Sequence, residues 1–582
     1  MAAKADVLAM LDELVALTTL EEESPQSFKV RAYEKAKLGI QSYQADDFME
    51  LSASQLTKLD GVGKSTAQKV RQFIETGTVD KLETLRETYP PAFVELSRIP
   101  GLGPKTVKLV RSKLGVENVE DLKAAIAAKK LRTLPRMGEA SEAKIAKAVD
   151  RLGLAGKDRR TPIKDALPLA QRLEADLRTV ESVVDVAYCG SLRRMSETIG
   201  DIDITVAATD APLVMDHVRN HHEVSEIVVS GETKTSFLTS GGLQIDVRVV
   251  EPQQFGAATL YFTGSKAHNI ALRQRAIDRD LLLNEYGLFP SDDNRTPIAS
   301  ATEQDIYQSL DLAYIPPPLR EGTGEIDAAA EGKLDLVQLE DIRGDLHYHT
   351  DRSGDGRSTL EEMVEAAANR GYEYLAITDH GEDLSINGVN EEQMLEHREN
   401  IENLQSHYPD MVLLFGCELN IDGDGNLDYS PEFRQLFDYT VASVHSHFDQ
   451  PTKNQTTRLV KAIAEPSVNS IGHLTGRYIG RRPGIELDID IVLEAMVAFD
   501  VALEVNGALK RLDAAADVVR RAVDRGVKLA INTDSHHKSE VERMTYGVQA
   551  AQRGWAPKDL VVNTWDRDRF IEWVSKEKPA TL

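Results

Sequence analysis

The sequence predicts a multidomain chain of mixed α and α/β class, and three patterns carry that prediction. A glycine-containing turn ahead of a helical run recurs between residues 51 and 150. An Asp-x-Asp pair, Asp201 and Asp203, opens a strand-like run. Between 341 and 582, short apolar strands alternate with helices and end in histidines or acids. A length of 582 residues suits several domains.

Taken in order, residues 1–50 read as helical, with apolar positions Val7, Leu8, Leu11, Leu14 and Val15 at helical spacing. In 51–150, Leu59-Asp60-Gly61-Val62-Gly63-Lys64 precedes a helical run to Phe73. Ile99-Pro100-Gly101-Leu102-Gly103-Pro104-Lys105 precedes another to Leu114. A worn third copy runs from Leu134 to Gly138, with Arg136 where the first glycine should be. Strands are expected near Val183–Cys189, Ile202–Val206, Phe237–Thr239 and Leu243–Val250. Residues 255–315 look mostly helical until Pro316-Pro317-Pro318, and 319–340 look like a polar connection. From 341, strands near Leu375–Thr378, Val412–Phe415, Thr440–Val444, Ala502–Val505 and Lys528–Ile531 alternate with helices, which indicates a parallel sheet or barrel.

Composition narrows the class. Cys189 and Cys417 are the two cysteines, too few for a disulfide framework, and they suit a reducing cytoplasm. No apolar run approaches the roughly 20 residues that span a bilayer, so no membrane partner is expected. The net charge of −26 at first argues against nucleic acid, but residues 51–150 hold 18 basic against 12 acidic residues. That basic island coincides with the repeats. A Gly-x-Gly turn before a helix lets backbone N–H groups approach a phosphate. Gly61, Gly63, Lys64, Gly101, Gly103 and Lys105 are therefore the candidate DNA-binding residues. The two good copies resemble helix-hairpin-helix motifs, which grip duplex backbone without reading bases. The third copy reads as structural.

Asp201 and Asp203 point to one face of a strand. Two acids held so close repel each other unless a cation sits between them. A third, Asp246, interrupts the apolar strand Leu243–Val250, where an acid is costly unless it is paired or bound to metal. Gly190 and Ser191 supply small backbone where a phosphate could approach. The bland alternative for the pair is a solvated strand edge, and Asp246 weakens it.

These residues resemble a known family. Cys189-Gly190-Ser191-x-Arg193-Arg194-x-x-Glu197-x-x-Gly200-Asp201-x-Asp203, then Tyr261-Phe262-Thr263-Gly264-Ser265 with Asn269, then Asn284-Glu285-Tyr286, look like family X DNA polymerase of the polymerase β type, from about residue 1 to 320. The resemblance implies a nucleotidyltransferase palm and a helical, thumb-like subdomain. It implies that Asp201, Asp203 and Asp246 are catalytic and hold Mg²⁺ or Mn²⁺. Gly190, Ser191 and Arg194 would bind the nucleotide's phosphates. Tyr261, Phe262 and Gly264 would line the sugar and exclude a 2′-hydroxyl, and Asn269 would touch the base edge. Lys266 and Gln244 depart from the family pattern, which has an acid and an arginine there. Lys69 matches the Schiff-base lysine of a 5′-deoxyribose-phosphate lyase, with Tyr33 and Lys29 as end-binding residues, although Ser65 replaces a second family lysine. A plain phosphate-binding role for Lys69 is the alternative.

Ten of the 14 histidines fall in 341–582. His347 and His349 share a strand face, while His380, Glu418, His445, His473 and Asp534-Ser535-His536 follow or end strands, as in α/β barrel enzymes. Such mixed ligands suit Zn²⁺ or Mn²⁺ better than Mg²⁺ alone. This half resembles the PHP (polymerase and histidinol phosphatase) domain, a distorted (β/α)7 barrel. That implies a site of two or three ions held by His347, His349, Asp355, His380, Glu418, His445, His473, Asp534 and His536, with Glu418 bridging. His447 and His537 read as neighbours of ligands. His217, His221, His222, His397 and His407 read as surface residues, and Arg477, Arg481 and Arg482 as DNA contacts.

The expected domains are 1–85 (helical, lyase-like, first hairpin), 86–155 (second hairpin), 156–252 (palm), 253–318 (C-terminal polymerase subdomain), 319–340 (linker) and 341–582 (PHP). The expected function is a cytoplasmic, monomeric DNA polymerase that fills short gaps in base excision repair. Its PHP half would be a 3′→5′ exonuclease or an AP endonuclease. Gapped or nicked DNA and deoxynucleoside triphosphates would be its partners. Two alternatives stand beside it. One is another nucleotidyltransferase; the other is a DNA-end scaffold whose PHP domain acts on small phosphoesters or is purely structural.

Overall fold

The computed structural model describes residues 4–24, 26–43, 46–59, 61–90, 96, 99, 102–135, 137–152, 160–292, 296–384 and 386–575. The N-terminal helices Lys4–Glu21, Phe28–Ser42, Lys64–Thr76, Asp80–Thr88, Pro104–Leu114, Val119–Ala127 and Glu139–Leu152 share one apolar core. Val7, Leu11 and Leu14 pack there with Ile40, Val70, Val107, Val110 and Leu122, so the two hairpin units are not separate cores. Gly61 has φ 69°, and a Cβ there would lie 2.8 Å from the Lys35 carbonyl oxygen, so that turn requires glycine. Gly63 and Gly103 cap their helices in open space. Gly101 lies outside the described residues.

A two-stranded pair, β1 (Thr161–Pro162) and β3 (Thr198–Ile199), flanks the palm. The palm sheet holds β2 (Val183–Tyr188), β4 (Asp201–Ala208), β5 (Glu226–Ser230), β6 (Lys234–Leu238) and β7 (Gln244–Val250), in the order β2-β4-β7-β6-β5. Only β4 and β7 run parallel. In β7 the alternation is strict: Ile245, Val247 and Val249 are buried, and Gln244, Asp246 and Arg248 lie on the half-open face. The helix Ile163–Leu177 covers the buried face with Ile163, Leu167, Ala170 and Leu173. The edge strand β5 was not expected; its Ile227, Val228 and Val229 are exposed and follow no inward–outward pattern.

Residues 255–315 are not as uniformly helical as expected. Helices Phe255–Thr263, Lys266–Ile277 and Glu303–Ser309 are interrupted by a hairpin of β8 (Leu281–Asn284) and β9 (Gly287–Pro290), turning at Glu285-Tyr286. Residues 319–340, expected as a connection, are folded into this subdomain: Leu319, Ile326, Ala329 and Leu336 join its core. Arg320 is wholly buried and pairs with Glu303 at 2.6 Å, and Arg193 reaches the same carboxylate at 2.8 Å. Glu325 is also buried; it pairs with His268 at 2.7 Å and accepts the N–H groups of Gly322 and Thr323.

The second half is a seven-stranded parallel sheet: β10 (Gly344–Tyr348), β11 (Tyr374–Ile377), β12 (Val412–Asn420), β13 (Tyr439–Ser443), β14 (Ser470–Ile471), β15 (Ala502–Asn506) and β16 (Leu529–Asn532), in sequence order. A bridge between Tyr348 and Ser535 brings the last strand to the first and nearly closes a barrel. Almost every strand residue is buried, as expected for parallel strands covered on both faces. Palm and barrel share one continuous apolar core. Across their junction Arg477 pairs with Glu197 at 2.9 Å and Gln171 donates to the Tyr546 hydroxyl at 3.4 Å.

Burial pushes the Glu303 carboxyl up, but Arg320 and Arg193 outweigh it and hold it at about 2. Its ionised form is therefore a stabilising one, complete above pH 4.5 and lost as the pH falls to about 2. Glu303→Gln, which strands the buried Arg320 and the half-buried Arg193, is expected to cost about 3–5 kcal/mol in chemical denaturation at pH 7. A loss below about 1 kcal/mol would contradict this account.

Candidate functional site

In the palm, Asp201 and Asp203 come from the start of β4 and Asp246 from β7. The register sets Asp203 directly beside Asp246 and Asp201 beside Gln244, so all three carboxylates lie on the half-open face. Burial, then Asp201 and Asp246, push the Asp203 carboxyl up to about 7. Burial and Asp246 also raise Asp201. For Asp246, burial is outweighed by Lys234 at 2.7 Å and by the Gln244 amide, which donates at 2.8 Å, and its pKa is lowered. Gln244 thus serves the third acid where an arginine was expected, with Lys234 supplying positive charge. Three oxygen donors that resist shared ionisation form a set a hard divalent cation would relieve.

Gly190 begins the short helix Gly190–Arg193 beneath these acids. It has φ 63°, and a Cβ would lie 2.6 Å from Asp203 Oδ2. The Cys189 N–H donates to the Asp203 carbonyl at 2.7 Å, fixing loop to strand. Ser191 is half-buried beside it. Arg194 donates from Nη1 to the Thr263 carbonyl at 2.6 Å and from Nε to Glu321 at 3.0 Å, and so lies against Gly264. Tyr261 and Phe262 meet edge to face, with ring centroids 5.0 Å apart, under Arg273 and Arg248 respectively. The Asn269 amide donates to the Tyr261 carbonyl at 2.8 Å, which ties it to that segment.

At the N-terminal repeats Lys64 and Lys105 are exposed beside the capping glycines. The third repeat differs: Glu139 and Glu142 occupy its first helical turn and pair with Arg132 at 3.0 and 2.6 Å, which leaves that helix start acidic. Lys69 is half-buried, donates to Ser65 Oγ at 2.8 Å and lies 5.8 Å over the Tyr33 ring. Burial and Lys81 lower its pKa. Lys29 is paired with Glu22 at 2.6 Å.

The barrel's site is built around Glu418. This residue was expected just after a strand but lies inside the long β12, only 1% exposed. Its Oε2 is 3.3 Å from His347 Nε2, 3.4 Å from His349 Nε2 and 3.0 Å from His380 Nδ1. Its Oε1 is 3.2 Å from His445 Nε2 and 3.0 Å from His473 Nε2. Asp534 Oδ1 is 3.6 Å from His349 and 3.5 Å from His536, and Asp355 Oδ2 lies 3.4 Å from His380 and 3.3 Å from His536. All nine expected residues therefore converge. His347 Nε2, both nitrogens of His349, His380 Nδ1 and Glu418 Oε1 are buried without a hydrogen-bond partner among the described residues. Orphaned imidazole and carboxylate atoms facing one another fit a cluster of divalent cations. His473 and Asp534 hold backbone φ of 22° and 51°, strain of the kind found at working sites.

Several residues around this cluster were not singled out. Glu504, buried in β15, binds His347 Nδ1 at 2.6 Å and accepts from the His473 N–H and from Asn506 and Asn532. It fixes which His347 nitrogen faces Glu418. Its signal was an acid inside the apolar run Ala502–Val505. Asp379 accepts from Thr350 and Ser353 and pairs with His397 at 2.9 Å. His397, expected at the surface, is thus buried. Arg511 places Nε 3.5 Å from Asp534, while Nε and Nη1 lack hydrogen-bond partners among the described residues. Arg477 and Arg482, expected to contact DNA, are engaged internally: Arg477 on Glu197 and the Arg511 and Leu512 carbonyls, Arg482 on the Gly476 carbonyl and Phe448 ring. Arg481 is exposed. The His447 and His537 rings bond to neighbouring serines, outside the cluster.

Five family models match in chain order: Helix-hairpin-helix domain (2–79), SAM-like Helix-hairpin-helix tandem (93–151), DNA polymerase beta palm (160–281), DNA polymerase beta thumb (258–321) and PHP domain (345–508). The chain is thus a polymerase β-type palm and thumb between helix-hairpin-helix domains and a PHP barrel. It is 35% identical over 564 residues, 96% of this chain and 97% of the relative, to the DNA polymerase/3′-5′ exonuclease PolX of Bacillus subtilis (strain 168). The chain belongs to that family of PHP-containing family X DNA polymerases. Its barrel half is also similar to proteins named probable phosphatase. One, from Caldicellulosiruptor saccharolyticus, is 27% identical across 39% of this chain and 94% of its own length. Another, from Thermoanaerobacter sp. (strain X514), is 28% identical across 40% and 95%.

Gly190→Ala would drive a methyl group into Asp203. Gap-filling assays are expected to show a loss of about 100-fold or more, with degradation of 3′ ends unchanged; near-normal synthesis would refute the close-approach argument. Glu504→Gln is expected to weaken metal retention by the barrel about 10–100-fold, read as bound metal after dialysis. Wild-type retention would show that Glu504 does not orient His347.

Proposed function

We propose that this chain fills short gaps in DNA during repair and trims 3′ ends at a separate site. The observation that carries the reading is the pairing of Asp203 with Asp246 across β4 and β7, with Asp201 alongside. It provides three carboxylates on a rigid face above Gly190, while nine metal-type ligands converge elsewhere in the same chain.

In the palm, Asp201, Asp203 and Asp246 would hold Mg²⁺ or Mn²⁺; in the barrel, the ligands around Glu418 would hold two or three ions of Zn²⁺ or Mn²⁺. Such ions acidify an attacking hydroxyl or water and neutralise charge on the phosphoryl oxygens. The protein's own groups do the rest. Gly190 and Ser191 offer backbone and hydroxyl to the triphosphate, and Arg194 adds a guanidinium suited to its oxygens. Tyr261, Phe262 and Gly264 form the wall against a sugar that lacks a 2′-hydroxyl, with Asn269 braced on Tyr261 near the base. Gly61, Gly63 and Lys64, and Gly101, Gly103 and Lys105, hold duplex backbone, so affinity falls with salt. In the barrel Arg511, whose Nη1 lacks a hydrogen-bond partner among the described residues, would offer a donor to a phosphoryl oxygen beside Asp534.

A monomeric state, a cytoplasmic setting, a lyase role for Lys69 and the domain limits given from sequence, apart from the 319–340 linker, belong to the same reading. Its support at Lys69 is the lowered pKa, which favours the nucleophilic amine. A second reading of the barrel draws on the phosphatase-named relatives: removal of a 3′-phosphate from a blocked end, by the same ligands.

The deciding assay measures extension of a gapped duplex and loss of 3′ nucleotides, with Mg²⁺ or Mn²⁺. Asp201→Ala is expected to abolish synthesis alone and His349→Ala to abolish degradation alone. Loss of both activities in folded Asp201→Ala protein would refute two separate sites. A 3′-phosphorylated primer, released by wild type but not by His349→Ala, would support the second reading.

A further inference from the structure

Arg194 reaches the palm from a loop that the barrel domain grips. Arg553, at the end of the barrel helix Met544–Arg553, uses one nitrogen for two contacts. Its Nη1 donates to the Arg194 carbonyl at 2.8 Å and to Glu321 Oε1 at 2.5 Å. The same Glu321 oxygen takes Arg194 Nε at 3.0 Å. Three residues further on, Glu197 is held at 2.9 Å by Arg477, itself fixed to the barrel carbonyls of Arg511 and Leu512. The loop that follows the Gly190–Arg193 helix and leads to Asp201 is thus anchored at two points by arginines of the other domain. All three members of the Arg553–Glu321–Arg194 set are half-buried.

We propose that Arg553, a residue of the PHP domain, is a positioning residue for nucleotide capture in the palm. It acts through Glu321 and the Arg194 backbone. This rests on the reading that Arg194 binds the nucleotide's phosphates. The physical argument concerns how one carboxylate is shared. With Arg553 present, Glu321 divides its charge between two guanidiniums and holds Arg194 beside Thr263 and Gly264 without monopolising it. With Arg553 removed, Glu321 pairs with Arg194 alone, and the triphosphate must compete with a stronger ion pair. The Arg194 carbonyl also loses its anchor. Both changes weaken nucleotide binding and neither touches the carboxylates, so the effect belongs in KM rather than kcat. The trimming domain would then hold the synthetic site in its nucleotide-binding form, and the two halves would be coupled without sharing a reacting group.

The test is steady-state filling of a one-nucleotide gap, with KM for the deoxynucleotide, kcat and 3′-end degradation measured for Arg553→Ala, Arg553→Lys and Arg194→Ala. Arg553→Ala is expected to raise KM roughly three- to thirtyfold, with kcat within about twofold and degradation unchanged. Because a single nitrogen makes both contacts, the ammonium of Arg553→Lys is expected to restore most of the wild-type KM. Arg553→Gln, which keeps the stem, replaces the alanine variant if that one unfolds. An unchanged KM in Arg553→Ala with a raised KM in Arg194→Ala overturns the inference alone. An unchanged KM in Arg194→Ala overturns the reading it rests on. Equal loss of kcat and degradation without lysine rescue would mean that Arg553 only holds the domains together, which also overturns it.

Discussion

Glu418 sits toward the C-terminal end of β12, out of contact with water, with five imidazoles around its two oxygens. A buried carboxylate survives only if its charge is answered, and much of the barrel is arranged around that requirement. The imidazoles hold Glu418 ionised well below the ordinary carboxylate range, despite a burial that pushes the other way. His349, crowded by burial and by His536 and His380, is held neutral, the form in which a histidine can be a ligand. Glu504, itself held by Asn506 and Asn532, braces His347 from behind. Parallel strands suit this task because both of their faces are covered and their ends converge.

The palm answers the same constraint with different chemistry. Its three acids stand on the half-open face of a mostly antiparallel sheet, with oxygen donors alone, and Lys234 satisfies one of them. Among the described residues Asp203 has no such partner, and its pKa rises. An all-oxygen set suits hard, exchangeable ions, whereas the mixed imidazole set binds more firmly. One chain can therefore carry synthetic and degradative phosphoryl chemistry with ions that need not compete. The Arg193–Glu303–Arg320 set, with Glu303 and Arg320 buried, extends the same logic to the thumb, where charge pairing fixes 319–340 against the helices.

Much of both sites was legible in sequence because strand periodicity is local. Asp201 and Asp203 at i and i+2, an acid inside Leu243–Val250, and histidines after apolar runs each point to a face or an end without knowledge of the fold. What escaped was set by tertiary contact. Glu418 looked like a post-strand residue because β12 is unusually long. Glu504 sat in an apolar run and drew no attention, although the same signal had singled out Asp246. His397 looked exposed because its partner, Asp379, lies on another element. The hairpin β8–β9 hid among helices, since four-residue strands leave little periodicity to read. Arg320 and Glu325 looked like linker polarity, because burial of a pair is invisible until both partners are placed. Arg477 and Arg482 looked like DNA contacts for the same reason.

The central claim is that the chain holds two independent clusters whose charges call for divalent ions. Calorimetric titration with Mn²⁺ at neutral pH tests it directly, on wild type, Asp203→Asn and Glu418→Gln. The account predicts two classes of binding, with the weaker lost in Asp203→Asn and the tighter lost in Glu418→Gln. A single class removed by either substitution, or tight binding that survives Glu418→Gln, would contradict it.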